Sequence, residues 1–400
     1  MSTSVDRREF LRNTLVAGGT AVAGSLWRHA APGPRGIEAA APAASLAAPG
    51  PSPYGGLMAA DANGLRLPRG FTARVVARSG RHVRGTRFRW HAAPDGGACF
   101  PARDGWIYVS NSEMPGTGGA SAIRFGADGR IRSAYRILSG TDLNCAGGAT
   151  PWGTWLSCEE TPGGAVFETY PRGGRAARRR PAMGLFRHEA TACDPVRRVV
   201  YLTEDEPDGC FYRFRPARWG DLSAGVLEVM TAGEGRGRVA WRRVPGPDGT
   251  PRPTREQVRG ALRFDGGEGC HYARGVCYFT TKGDNRVWAY HAAASSLDLV
   301  YDAARAGARA SLRGVDNVTG TGAGELFVAE DGDDMEINVI TARGRVAPFL
   351  RLTGHPDSEI TGPAFSPDGR RLYFSSQRGA SGSSHAGVTY EVTGPFHGAR

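Results

Sequence analysis

Six times along this chain an alternating apolar run ends in a cluster of polar or charged residues. The runs are WIYVSNSE at 106–113, TWLSCEE at 154–160, VVYLTEDE at 199–206, VCYFTTKGDN at 276–285, ELFVAEDGD at 325–333 and RLYFSSQRG at 371–379. Period-two alternation of β-branched and aromatic residues reads as a strand. Glu113, Glu159, Glu204, Asp284, Glu330 and Gln377 recur about every 46 residues, with one longer step that implies an insertion, and a period in the forties is that of propeller blades. A second series, Cys145, Glu189, Glu268, Asp316 with Asn317, and Glu359, precedes the first by about 14 to 18 residues. Turn signals separate the two series, at Asp194-Pro195, Ala273-Arg274-Gly275, Gly322-Ala323-Gly324 and Pro367-Asp368-Gly369, so each unit reads as a hairpin. The first residue of one strand and the last of its antiparallel partner lie side by side. Six hairpins around an axis therefore bring both series to one mouth of a central channel, and the expected fold is an all-β six-bladed propeller.

Carboxylates gathered at one mouth raise one another's pKa values unless cations neutralise them. Oxygen donors suit a hard cation such as Ca²⁺, whereas the thiol of Cys145 suits a transition metal. The pattern predicts a mixed metal cluster. A single acidic residue after a strand is as often a solvated turn residue; recurrence in successive hairpins is what favours the site.

The 400 residues contain no apolar stretch of membrane-spanning length, and the repeat favours one large domain over two. Residues 1–45 stand apart. Arg7-Arg8-Glu9-Phe10-Leu11 precedes a short Gly/Ala-rich run at 15–24, followed by a low-complexity stretch at 39–49, which reads as a twin-arginine export signal and linker rather than an anchor. Residues 46–400 are expected to form the propeller. Export by that route carries folded cargo, which suits a protein loaded with metal before release.

The formal charge of +11 is carried almost wholly by arginine, and Lys282 is the only lysine. Lys282 stands at the mouth end of its hairpin and Arg378 at the matching place in the last, where an ammonium and a guanidinium fork would meet a substrate anion. The run at Arg178-Arg179-Arg180 and the pair Arg242-Arg243 lie outside the repeats and read as solvated loops, and no nucleic-acid module accompanies them. Seven cysteines leave at least one unpaired. Cys145 is expected to be free, while Cys270 with Cys277 and Cys193 with Cys210 each flank a hairpin turn, placed either for a bridge or as buried thiols. His188 and His271 adjoin ring glutamates as orienting or core residues. No CxxC pair, GxSxG elbow, P-loop or dinucleotide fingerprint occurs.

Five ordered segments, NCAGGATPWGTWLSCEET, YLTEDEPDGCFYRF, GGEGCHYARGVCYFTTKGDNRVWAYH, VDNVTGTGAGELFVAEDGDDMEI and SEITGPAFSPDGRRLYFSSQRG, resemble the PhoX-type alkaline phosphatases. The resemblance runs from about Trp90 to Arg378. It implies a twin-arginine-exported propeller that hydrolyses phosphomonoesters with ferric iron and calcium. Cys145 matches the cysteine that joins two irons. By motif position Glu159, Glu189 and Glu268 are carried over for iron, and Asn144, Asp205, Asp316, Glu330 and Glu359 for calcium; Glu113, Glu204, Asp331 and Asp334 are second candidates. Lys282 and Arg378 would clamp phosphate. The chain is shorter than well-known members, which bears on substrate range. The expected partners are a small phosphomonoester and the twin-arginine translocase, with no nucleic acid and no stable membrane anchor, for a monomer outside the cytoplasm. Two rival readings are a calcium-dependent lactonase- or phytase-like propeller, against which Cys145 speaks, and a non-catalytic calcium-stabilised binding propeller, in which Lys282 and Arg378 have no clear purpose beyond a salt bridge.

Overall fold

Each alternating run folds as the second strand of an antiparallel sheet. These strands are Gly105–Ser112, Trp155–Glu159, Val199–Glu204, Val276–Thr281, Leu326–Glu330 and Arg371–Ser376, and each pairs with a first strand: Pro94–Ala102, Asn144–Ala149, His188–Asp194, Gly267–Ala273, Val315–Gly320 and Ile360–Phe365. The structure is a computed structural model that describes residues 46–332 and 334–399. The twin-arginine motif and the Gly/Ala-rich run lie outside the described residues.

Six sheets of four or more strands are present among the described residues, and the first strands of successive sheets touch one another all the way round, the sixth against the first. The molecule is a six-bladed β-propeller. The long step in the sequence period is the third blade, which carries five strands and is followed by a segment that returns to it through bridges Thr231↔Ala261 and Gly209↔Phe264. Strands in the blades are buried on both faces because each sheet is sandwiched between its neighbours. Phe327, Phe349, Phe374 and Tyr390 form one such interblade core, and Tyr201, Phe211, Phe279 and Trp288 another.

The sequence periodicity does not reveal how the ring closes. The outermost strand of the sixth blade is Thr72–Arg78, from the beginning of the described chain, paired antiparallel with Val388–Thr393 near its end. Joining an early and a late segment of the described chain in one sheet closes the ring with main-chain hydrogen bonds and leaves no first blade to peel away from the last. Residues still nearer the start, Ala48–Pro49 and Leu65–Arg66, pair with Arg345–Leu352 on the outside of the fifth blade. No helix among the described residues is long and apolar enough to cross a membrane.

Candidate metal and phosphate site

Five of the six first strands carry the same irregularity. Pairing passes from Pro94↔Ser112 to Gly97↔Ser110 in the first blade, from Asn144↔Glu159 to Gly147↔Ser157 in the second, from His188↔Glu204 to Thr191↔Leu202 in the third, from Gly267↔Thr281 to Cys270↔Phe279 in the fourth and from Val315↔Glu330 to Val318↔Val328 in the fifth. Two residues thus oppose one, which is a β-bulge, a device that re-aims a side chain. The first bulged residue is Asp95, Cys145, Glu189, Glu268 or Asp316. In the sixth blade the shift falls between Thr361 and Ala364, and the corresponding residue is Gly362. There the acid comes from just before the strand: Glu359, bridged to Asp331 of the fifth blade.

The second strands supply the rest of the mouth. The residue after the last paired one is Glu113, Glu160, Asp205, Lys282, Asp331 and Gln377 in blades one to six. Four groups of ligand atoms, each with all members within 4.8 Å, follow one another around the axis: Asp95, Glu113 and Cys145; Cys145, Glu160 and Glu189; Glu189, Glu268 and Asp316; Asp316, Asp331 and Glu359. Shared members link each group to the next. Gln377 joins the ends, its amide nitrogen donating to Asp95 Oδ2 and to Glu113 Oε2, both at 2.5 Å. Arg378 completes the circuit, its Nη1 donating to Glu359 Oε1 at 2.7 Å and to Gln377 Oε1 at 2.9 Å.

Threonine, serine and asparagine side chains fix this ring from blade to blade. Asn111 Nδ2 donates to the carbonyl of Cys145 at 3.1 Å, Thr203 Oγ1 to that of Glu268 at 2.6 Å, and Thr280 Oγ1 to that of Asp316 at 2.5 Å. Each bond ties one blade to the bulge of the next. Close backbone approach does the same: a Cβ on Gly269 would lie 2.5 Å from Val318 N, and one on Gly96 2.5 Å from Ala146 Cα.

The ring is deeply buried, Glu189 and Glu359 having no exposed surface. Burial, followed by repulsion from Glu113, Glu359 and Asp316, holds the Asp95 carboxyl well above the usual range. Burial and then Glu268, Glu160, Asp316 and Asp95 do the same for Glu189. The Cys145 thiol is also pushed well up, by burial and then Asp95 and Glu189. Cys145 Sγ donates to Glu189 Oε1 at 3.2 Å, and Glu189 Oε2 is buried with no hydrogen-bond partner among the described residues. Buried carboxylates at this density persist where cations compensate them.

Protein cations meet the ring on one side. Lys282 Nζ lies 2.9 Å from Glu268 Oε1, 3.2 Å from Asp316 Oδ2 and 3.2 Å from Asp331 Oδ2. Arg378 Nη2 is 3.8 Å from the other oxygen of Asp331. The two cations therefore bracket Asp331, each retaining about a fifth of its side chain exposed at the mouth (21% and 22%).

Of the residues singled out from sequence, the four ligand groups bring together Cys145, Glu189, Glu268, Asp316 and Glu359, with Glu113 and Asp331 from the second rank. Others are held by different partners. Asn144 is bonded to Thr141 and to Ser157. Glu159 accepts from the backbone of Asp142 and Ala165, and Glu330 from the backbone of Arg313 and from Asn338. Glu204 accepts from Tyr212 and Cys210 N and pairs with Arg255, while Asp334 reaches towards Arg351. Asp205 holds the ladder position equivalent to Glu160 but faces Asp265, whose pKa its charge helps burial to raise. Asp284 accepts from Thr281 and pairs with Arg286. In the second and fifth blades the acid in the groups is the neighbour, Glu160 or Asp331, because adjacent strand residues point to opposite faces. Asp95 escaped the sequence reading, although it precedes Glu113 by the interval that separates the two series elsewhere; its strand, with Pro94 and two glycines, lacks the alternation that marks the others.

The sequence model of the family "Alkaline phosphatase PhoX" matches residues 108–180 and 164–379. The chain belongs to that family, whose members are phosphomonoester hydrolases. Among solved structures it is similar to Pseudomonas fluorescens PhoX, determined in complex with vanadate as a transition-state analogue, at 17% identity over 86% of this chain and 99% of that one, with a TM-score of 0.69. It is also similar to a Bacteroides thetaiotaomicron protein of unknown function, at 8% identity over 81% and 76% of the two chains, with a TM-score of 0.51. At these identities the likeness bears on the fold. No curated protein matches the sequence.

Proposed function

We propose that this chain is an exported alkaline phosphatase that cleaves phosphomonoesters at a ring holding ferric iron and calcium. The observation that carries the reading is the unbroken succession of four ligand groups around one mouth, with the thiol of Cys145 in two of them and two protein cations beside a third. The donor set fits the metals. Glu160 and Glu189 surround the Cys145 thiol, Glu268 adjoins Glu189, and this set suits iron, the buried, unpartnered oxygen of Glu189 offering it a lone pair. Asp316, Asp331 and Glu359 form an all-oxygen set of the kind calcium takes, and on the other side Asp95 and Glu113 add two carboxylates beside the Cys145 thiol. Asn144, Glu159 and Glu330 are each one residue from a member of the ligand groups and, with Asp205 at the ladder position equivalent to Glu160, are proposed to orient the ring or to contribute further ligands.

When bound, such cations supply the positive charge and the activated nucleophile that phosphoester hydrolysis needs. The chain's own residues bind and orient. Lys282 Nζ and the Arg378 fork flank Asp331 at the mouth and would take two phosphoryl oxygens, leaving the ester oxygen directed outwards to solvent. As charge builds on the phosphoryl oxygens these donors strengthen their hydrogen bonds without having to reorganise. The buried rim excludes bulk water and raises the value of each charge inside it.

Twin-arginine export and phosphate scavenging by a monomer follow from the same reading, with residues 1–45 as signal and linker and 46–400 as the single catalytic domain. Hydrolysis of p-nitrophenyl phosphate by the purified chain, abolished by chelation and restored by iron plus calcium, is the expected result. Hydrolysis of lactones in its place, or of phosphomonoesters undiminished after complete chelation, would overturn the proposal. Export is tested separately: the double substitution Arg7→Lys, Arg8→Lys should retain the protein in the cytoplasm.

A further inference from the structure

At the turn ends of the first strands, away from the acidic ring, the channel holds a cavity of about 350 Å³. Its wall includes Cys270 and His271 of the fourth blade. Cys270 lies on the same strand face as Tyr272, which is paired with Cys277 across the hairpin, so the two cysteines are diagonal neighbours. Their sulfurs are 3.4 Å apart, in contact but not bonded. Cys277 is completely buried in the core between the third and fourth blades, whereas Cys270 keeps partial exposure to the channel. The other cysteine pair near a hairpin differs. Cys193 sits at the turn end of its strand, while Cys210 lies at the ring end of its blade, its backbone bonded to Glu204 and its sulfur accepting from Arg263.

We propose that Cys270 and Cys277 are a channel-accessible dithiol that closes into a disulfide within the folded blade. The oxidant class is a low-molecular-weight disulfide small enough to enter the cavity. The Cys270 thiolate attacks one sulfur of that molecule, forming a mixed disulfide and expelling the other half as a thiol. Cys277 then loses its proton and attacks the Cys270 sulfur, expelling the second thiol. Two protein thiols are oxidised and one small disulfide is reduced to two thiols. The sulfurs must close from contact to a bonding distance of about 2 Å, which for diagonal neighbours takes side-chain rotation together with a local adjustment of the hairpin backbone. A staple here would join the two strands whose opposite ends present Glu268 and Lys282.

The full-length protein should be treated with 2-hydroxyethyl disulfide while folded, then alkylated, digested with trypsin and mapped without reduction. Cleavage after Arg274 separates the two cysteines, so the expected product is residues 264–274 linked to residues 275–282. Thiol titration of the denatured oxidised protein should find at least two fewer than the seven of the reduced chain, any further loss being mixed disulfides on Cys99 and Cys193, which line the same cavity. In Cys277→Ser the mixed disulfide should persist on Cys270. Seven free thiols after oxidation, or a bridge through any other pair, would overturn the proposal. The wild-type peptide map decides the matter even if the variant fails to fold.

Discussion

Cys145 stands in two of the four ligand groups and contributes the only sulfur to them among the described residues. Cys145→Ala removes that donor while leaving the interblade cores untouched, so activity should fall by about 100-fold or more, with iron lost and the circular dichroism spectrum preserved. Lys282→Ala should behave differently. It removes one charge-assisted donor, lowering turnover by about 10²- to 10³-fold while iron and calcium stay bound; loss of metal in that variant would make Lys282 a structural counter-ion to Glu268, Asp316 and Asp331. His271 provides a pH-dependent prediction away from the ring. Burial lowers its pKa to about 4, so between the usual imidazole value and about 4 the unfolded chain takes a proton that the folded chain refuses. Stability from this residue is therefore present above the unfolded value and lost as pH falls towards 4. Its slope is at most about 1.4 kcal/mol per pH unit, reduced by the partial exposure of the ring. Thermal melts should show a shallower acid-side loss in His271→Gln than in the parent chain.

The bulged hairpin is the element that converts a linear repeat into a site. Strand existence, hairpin pairing and the common end of the marked residues are legible in the sequence because period-two alternation and turn residues are local signals. The bulge is not, since it is a matter of register. Its effect is to decide which first-strand residue faces the ring, while on the second strands the alternation of faces puts Glu160 and Asp331 in the ligand groups in place of Glu159 and Glu330. Gly269, the second bulged residue of the fourth blade, has no room for a methyl group against Val318 and Asn317. Gly269→Ala should destabilise the protein by about 2 kcal/mol or more in denaturant unfolding and weaken metal retention, because the fourth and fifth blades must part where Glu268 and Asp316 meet. Thr280→Val is the milder companion, removing one interblade hydrogen bond to the Asp316 carbonyl at a cost of about 1 kcal/mol.

At the scale of the molecule, closure is what gives the ring its rigidity. Thr72–Arg78 completes the sixth blade against Val388–Thr393, a pairing between distant parts of the chain that carries no periodic signal and so was invisible in the sequence. The same holds for Asp95, which belongs to a first strand without alternation yet ends up beside Gln377 of the last blade. Closing the circle therefore also completes the site: the first and sixth blades meet through Asp95, Glu113, Gln377 and Glu359. The closed ring is proposed to hold a mixed metal cluster. Metal content of the mature protein, folded and exported through its own signal and measured by plasma mass spectrometry, tests it most directly. Iron together with several equivalents of calcium per chain is the expected result; calcium without iron, or neither metal in a protein that still hydrolyses phosphomonoesters, would rule the cluster out.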